Sequence, residues 1–183
     1  MANVLVPLAQ GCEELEAVTV VDLMRRAGIT VVTAGLDEQP VHASRGMVLL
    51  PDMTLDAALQ QDYDMIVLPG GLPGADKLRD DPRVIDCLQR MAASEKFTAA
   101  ICAAPRVLAH AGLLTGKQAT SYPGALDEDT QASLDYQETA VVQDGTVITS
   151  RGPGTAMDFT LVLIELLAGK ATRDEVETGL QRG

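Results

Sequence analysis

A cysteine that ends an apolar strand and directly precedes a helix is the feature of this chain best suited to covalent chemistry. Phe97 to Ile101 reads as a buried strand, Cys102 follows, and Ala103, Ala104 and Pro105 open a helix expected over Ala103 to Ala111. At such a corner the unpaired amides of the first turn and the helix dipole favour an anion, which predicts a lowered pKa for Cys102 and the thiolate a nucleophile needs. The competing reading makes Cys102 a small hydrophobe that merely closes a strand. Cys87 shares a helix stripe with Val84, Leu88 and Met91 and reads as packing. Cys12 follows the first strand and also reads as packing or incidental exposure.

A thiolate needs a proton partner. On the first helix, expected from about Glu13 to Ala27, a rotation of about 100° per residue puts Glu16 within about 60° of Val20, Leu23, Met24 and Ala27, so its carboxyl faces inward. Glu13 suits the dipole at the helix start, and Glu14 is expected on the solvent side. A buried carboxyl beside a thiolate stays protonated, because burial and like charge both raise its pKa. Leu68, Pro69, Gly70 and Gly71 bring unsubstituted backbone to the sheet rim, where an amide can meet a developing oxyanion. Of the two histidines, His110 lies eight residues beyond Cys102, about 12 Å along a helix, too far to be its base. His42 falls in an expected hairpin and reads as a surface or interface residue. Neither Gly116–Lys117 nor Gly169–Lys170 continues as a P-loop, so nucleotide binding has no support.

The elements that must position these groups alternate. Asn3 to Leu8, Ile29 to Ala34, Met65 to Leu68 and Phe97 to Ile101 read as strands, with helices after the first, third and fourth. Thr54 caps a short helix, and Asp81–Pro82 starts another that runs to about Ser94. Val41 to Leu50 suggests a hairpin extending the sheet. A second hairpin turns at Asp144 and Gly145, and Gly152–Pro153 opens a long helix to Ala168. Apolar strands alternating with amphipathic helices imply an α/β, doubly wound, mostly parallel sheet sandwiched by helices, flavodoxin-like, with its site beyond the carboxyl ends of the strands. The 183 residues fit one domain over 1–183. With 14 Lys and Arg against 26 Asp and Glu, the net charge of −12 repels nucleic acid and anionic membranes. No apolar run is long enough for a membrane span and no signal peptide is visible, so a cytoplasmic address is expected. Three cysteines without a CxxC argue against disulfides or a thiolate metal cage.

Five blocks in order, QGCEELE (Gln10 to Glu16), MRRAG (Met24 to Gly28), VLPGG (Val67 to Gly71), AAICAAP (Ala99 to Pro105) and TSRGPGT (Thr149 to Thr155), identify the chain as similar to the ThiJ/PfpI superfamily, in the branch of the Parkinson-associated deglycase and glyoxalase. The resemblance spans nearly the whole chain. It implies Cys102 as the elbow nucleophile, Glu16 as its protonated partner, and the amides of Gly71 and Ala103 as oxyanion contacts. It also implies a homodimer that needs no cofactor or metal, with the first helix and the Val41 to Leu50 hairpin as contact surface. Tyr122 stands before Pro123 where animal relatives have His, and with Ser150, Arg151 and Pro153 it is a candidate lining residue. Ala103, not His, follows the cysteine, which speaks against peptidase activity. The implied reaction is a glyoxalase or deglycase turnover of methylglyoxal, glyoxal or their early protein and nucleotide adducts. The alternative is an oxidative-stress sensor and redox-regulated chaperone acting through oxidation of Cys102.

Overall fold

The structure, a computed structural model, describes residues 2–182. In chain order its elements are β1 (Asn3–Leu8), α1 (Glu14–Arg26), β2 (Thr30–Gly35), β3 (Val41–His42), β4 (Val48–Leu49), β5 (Met53–Thr54), α2 (Leu55–Ala58), β6 (Met65–Leu68), α3 (Gly74–Asp80) and α4 (Pro82–Ala93). They continue with β7 (Phe97–Ile101), α5 (Pro105–His110), β8 (Gln118–Ala119), α6 (Glu128–Ala132), β9 (Asp135–Tyr136), β10 (Val141–Asp144), β11 (Val147–Ser150), a 3-10 turn (Pro153–Thr155), α7 (Ala156–Ala168) and α8 (Lys170–Gly179).

Seven strands form one sheet in the order β10-β11-β7-β6-β1-β2-β5. All neighbours run parallel except β10 and β11. Strand side chains alternate between faces, and the core divides accordingly. Val4, Val6, Met65, Val67, Ala99 and Ile101 pack on one side with residues of α1 and α7. Leu5, Ile66, Leu68 and Ala100 pack on the other with residues of α4 and α5. Burial on both faces explains why these strands are apolar throughout.

From β1 the chain moves outward to β2 and β5, then returns to place β6 on the other side of β1. The strand order therefore reverses between β1 and β6, and the turns leaving their carboxyl ends splay apart into a crevice. Residues 9–13, 69–73 and 102–104 all lie at that end.

Three expectations need correction. The Val41 to Leu50 hairpin does not extend the sheet; β3 and β4 pair only with each other, antiparallel. The helix after Cys102 is shorter than expected, beginning at Pro105, with Ala104 as its cap. Three helices were not anticipated: α3, whose start is Gly74, the short α6, and α8, which packs on α7. Asp81 does cap α4, its carboxylate accepting the Arg83 N–H at 2.9 Å, and Thr54 caps α2. Among the described residues no helix is long and apolar enough to cross a membrane.

Candidate functional site

Cys102 sits at φ +63°, a left-handed conformation that costs a non-glycine residue of order 1 kcal/mol. Both of its backbone polar groups are tied down. Its N–H donates to the Ser150 carbonyl at 2.9 Å, and its carbonyl accepts the Tyr122 N–H at 2.9 Å. The strand register of β7 against β11 thus forces the chain to turn sharply here, which lifts the side chain out of the sheet. The thiol is only 8% exposed. The amides of Gly71 and Ala103 lie close enough to its sulfur to favour its anion.

Glu16 is fully buried, as its place on the apolar arc of α1 predicts. One carboxyl oxygen, Oε2, accepts the Gly70 N–H at 2.7 Å. The carboxyl faces the Cys102 side chain across the space left by Gly70, while Oε1 is buried with no hydrogen-bond partner among the described residues. An unpaired buried carboxylate oxygen is costly, whereas a carboxylic acid can place its O–H there and donate to sulfur. Burial, ahead of the charge on Glu13, pushes Glu16 up to about 7.

The expectation of a lowered thiol pKa, from the helix start and a hydrogen bond from Glu16, is corrected. Burial comes first, followed by the charge of Glu16 and the hydrogen bond to it, and together they push Cys102 up to about 12 against the lowering effect of the two amides. Cys12, also buried, is raised to about 12 as well. The helix contributes little because it is short and begins three residues away. For Cys102 and Glu16 the ionisation belongs to the pair. Burial raises both groups and the charge of Glu16 raises the thiol further, so once the pair has lost one proton the other can sit on oxygen or on sulfur. Two of the effects that raise the thiol vanish whenever Glu16 holds the proton, and the Gly71 and Ala103 amides then favour the thiolate.

It follows that the alkylation rate of Cys102 should rise through about pH 7, when the pair loses its first proton. Iodoacetamide kinetics on a chain lacking Cys12 and Cys87 measure this. An inflection near the ordinary thiol value of about 8.5 would show that no proton is shared.

Gly70 is the member that sequence reasoning did not single out. A Cβ built on it would lie 2.8 Å from Cys102 Cβ, 2.8 Å from Glu16 Oε2 and 2.9 Å from the Ala103 nitrogen. Its missing side chain is the space in which thiol and carboxyl meet. The sequence signal was the Gly70–Gly71 pair itself, which does not tell the two roles apart. Gly71 has φ +88°, and a Cβ there would collide with the backbone of Cys12 and Glu13.

The neighbouring glutamates divide differently than expected. Glu13 caps α1, accepting the Glu16 N–H at 2.8 Å. Glu14, expected in solvent, is 6% exposed. Its carboxylate accepts from the Arg45 N–H at 2.9 Å and from Ser44 Oγ at 3.2 Å, and so holds the β3–β4 turn against α1. Desolvation raises its pKa, but the amides and hydroxyl outweigh that and leave it below the ordinary carboxylate value.

The lining candidates also separate. Tyr122 is 52% exposed, and its ring lies over Gly152, with Cδ2 at 3.3 Å from where a Cβ would be. It flanks Cys102. Ser150 is not a wall: it is fully buried, donating to the Ala140 carbonyl at 2.8 Å and paired with Thr155 Oγ1 at 2.7 Å. It braces the turn at Gly152 instead. Pro153 opens the 3-10 turn beyond it, and the Arg151 N–H donates to the Ala140 carbonyl. Cys87 packs among Val84, Leu88 and Met91. His110 is the last residue of α5, and the His42 carbonyl accepts the Gly11 N–H. Neither histidine takes part in the Cys102 cluster.

The DJ-1/PfpI family model matches residues 2–166. Over 179 residues the chain is 44% identical to the Parkinson disease protein 7 homolog of Danio rerio, covering 96% of this chain and 95% of that one. Over 168 residues it is 34% identical to the glutathione-independent glyoxalase DJR-1.2 of Caenorhabditis elegans, covering 92% and 89%. The crystal structure of Drosophila melanogaster DJ-1beta matches with a TM-score of 0.94 at 42% identity, over 100% of this chain and 98% of that one. The likeness extends through every strand of the sheet and through the corner that carries Cys102, and on that ground the chain belongs to the DJ-1/PfpI family.

Proposed function

We propose that this chain is a cysteine-dependent glyoxalase that needs no cofactor and converts methylglyoxal or glyoxal to lactate or glycolate, with deglycation of their early protein and nucleotide adducts as the same chemistry on a larger substrate. The observation that carries the reading is the buried convergence of Glu16, Cys102 and the Ala103 amide on the space left by Gly70. A relative named as a glutathione-independent glyoxalase supports the substrate class.

The Cys102 thiolate adds to the aldehyde carbon, forming a C–S bond, and the aldehyde oxygen takes the electron pair and then the Glu16 proton. The oxygen forms two bonds from the sulfur, within the reach of the Gly71 and Ala103 amides, which stabilise its charge. Glu16, now a carboxylate, removes the hydrogen on the former aldehyde carbon as a proton and returns it to the adjacent carbon, while the hydroxyl proton passes to the ketone oxygen. The aldehyde carbon is thereby oxidised to a thioester and the ketone reduced to an alcohol. Water then cleaves the thioester, releasing lactate and the thiol. Atoms and electrons balance as methylglyoxal plus water giving lactate and one proton.

Purified, metal-free protein should produce lactate steadily from methylglyoxal, and alkylation of Cys102 should stop it. A burst of no more than one lactate per chain, with peroxide converting Cys102 to a sulfinate, would favour the redox-sensor and chaperone reading instead.

A homodimer is part of the same proposal. Leu15 and Val18 on α1 are exposed, as are Met47, Val48 and Leu50 at the β3–β4 hairpin, an apolar surface suited to a second copy. Light scattering at micromolar concentration should give twice the chain mass; a monomer removes the claim. The three free thiols fit a reducing, cytoplasmic setting.

A further inference from the structure

The cleft between α5 and the loop leading into α6 takes no part in the chemistry above. It encloses about 500 Å³, and Arg79, Arg106 and His110 line it. Two guanidinium groups thus converge in a chain of net charge −12. Asp76 Oδ1 accepts from Arg79 Nη1 at 3.0 Å and from Arg106 Nη1 at 2.9 Å, so one oxygen holds both cations side by side. Their side chains are 34% and 22% exposed. Two positive charges so placed repel each other; Asp76 bridges them and Asp80 also pairs with Arg79, so among the described residues Arg106 is the cation left with only a shared partner.

Of the other acids nearby, one pairs with Arg79 itself and one caps a helix. Asp80, 64% exposed, binds Arg79 Nε and Nη2. Asp127, on the cleft wall, caps α6 by accepting the Thr130 N–H at 2.8 Å. Arg106 is left under-used. A guanidinium carries five N–H donors, yet among the described residues its acceptor is Asp76, and its Nε is buried without one. Across from the cations, Ala109 and Leu126 supply an apolar wall.

We propose that this cleft binds a small carboxylate with a short apolar tail, the carboxylate held by Arg106 and Arg79 and the tail against Ala109 and Leu126. A planar carboxylate matches the guanidinium fork. A monoanion is favoured over a phosphate dianion because Asp127 stands on the same wall, and only a ligand with a tail uses the apolar side. The occupant bridges two segments that both reach the elbow: α5 begins three residues after Cys102, and the loop starts at Tyr122, whose N–H donates to the Cys102 carbonyl.

Isothermal titration of the full chain carrying Cys102→Ser, with butyrate at constant ionic strength and inorganic phosphate in parallel, tests the proposal. Butyrate should bind with a Kd of order 1 mM. Arg106→Gln and Arg79→Gln should each weaken it by about tenfold or more, the loss of a charge-assisted hydrogen bond. Phosphate should bind about tenfold more weakly than butyrate, having no group for the apolar wall. The proposal is overturned by the absence of saturable heat up to about 50 mM butyrate. It is equally overturned by phosphate binding as tightly as butyrate, or by unchanged affinity in a folded Arg variant. Should Arg106→Gln fail to fold, Arg79→Gln, on the more exposed arginine, gives the same reading. Because Cys102→Ser cannot turn over substrate, the binding result stands apart from the proposed activity.

Discussion

Glu16→Gln should lower turnover of methylglyoxal by about a hundredfold to ten-thousandfold, the contribution of one positioned general acid and base, while Cys102→Ser falls to background. Glutamine keeps the shape of the side chain and can still donate a hydrogen bond to sulfur, but it cannot release and recover a proton. Its carbonyl oxygen can accept the Gly70 N–H where Oε2 does now, so the fold around it should hold. Thiolate chemistry that needs no proton transfer should survive, and peroxide should still oxidise Cys102 to the sulfinate in the variant. Lactate formation and mass-spectrometric oxidation, followed on one preparation, separate the two. An unchanged lactate rate in Glu16→Gln would take the proton-transfer role away from Glu16. The sign of the pH effect is fixed by the same pair: Glu16 is raised to about 7, so the folded state holds a proton there that the unfolded chain loses near 4.3. Stability conferred by that proton is complete below about pH 4.3 and declines as pH rises towards 7. The glutamine variant should not show this decline.

Gly70→Ala should disable the site through geometry rather than chemistry. The added methyl carbon would meet Cys102 Cβ, Glu16 Oε2 and the Ala103 nitrogen at 2.8 to 2.9 Å, closer than such atoms approach. Two of these neighbours belong to the reacting pair, and the third carries an amide close to the sulfur, so relief in any direction disturbs the cluster. Overpacking of this kind costs about 1–3 kcal/mol, which for a chain of this length lowers the melting temperature by about 2–12 °C. Lactate formation should drop close to the level of Cys102→Ser. The contrast is Gly154→Ala, where a Cβ meets nothing within 4 Å, and which should leave both melting temperature and turnover unchanged. A fully active Gly70→Ala would mean that the close contact of thiol, carboxyl and amide is not needed.

Local pattern was enough for a large part of this molecule. The strands Asn3–Leu8, Met65–Leu68 and Phe97–Ile101 were legible because burial on both faces demands unbroken apolar runs, and the caps Thr54 and Asp81 because a side-chain oxygen must meet the first amides of a helix. Glu16 was legible for a similar reason: a charge on the apolar arc of a helix has to face the interior. The position of Cys102 at a strand-to-helix corner could also be read from chain order alone.

Tertiary structure decided the rest, wherever the partner lies far along the chain. Glu16 meets Gly70 across 54 residues, and no periodicity in either segment reports that the Gly70 amide, rather than a solvent molecule, satisfies the carboxyl. Glu14 shows the limit most plainly. Its rotation on α1 predicts the solvent side, but the β3–β4 turn arrives 31 residues later to cover it and supply N–H donors. That same hairpin alternates well enough to pass for part of the main sheet, and only the place of β5 beside β2 keeps it out. The acidity of Cys102 failed as a sequence inference for a related reason. A helix start favours a thiolate by a local field, whereas burial under Gly70, Gly71 and Glu16 is a property of the assembled core, and in a poorly solvating interior the desolvation of a charge outweighs a weak dipole.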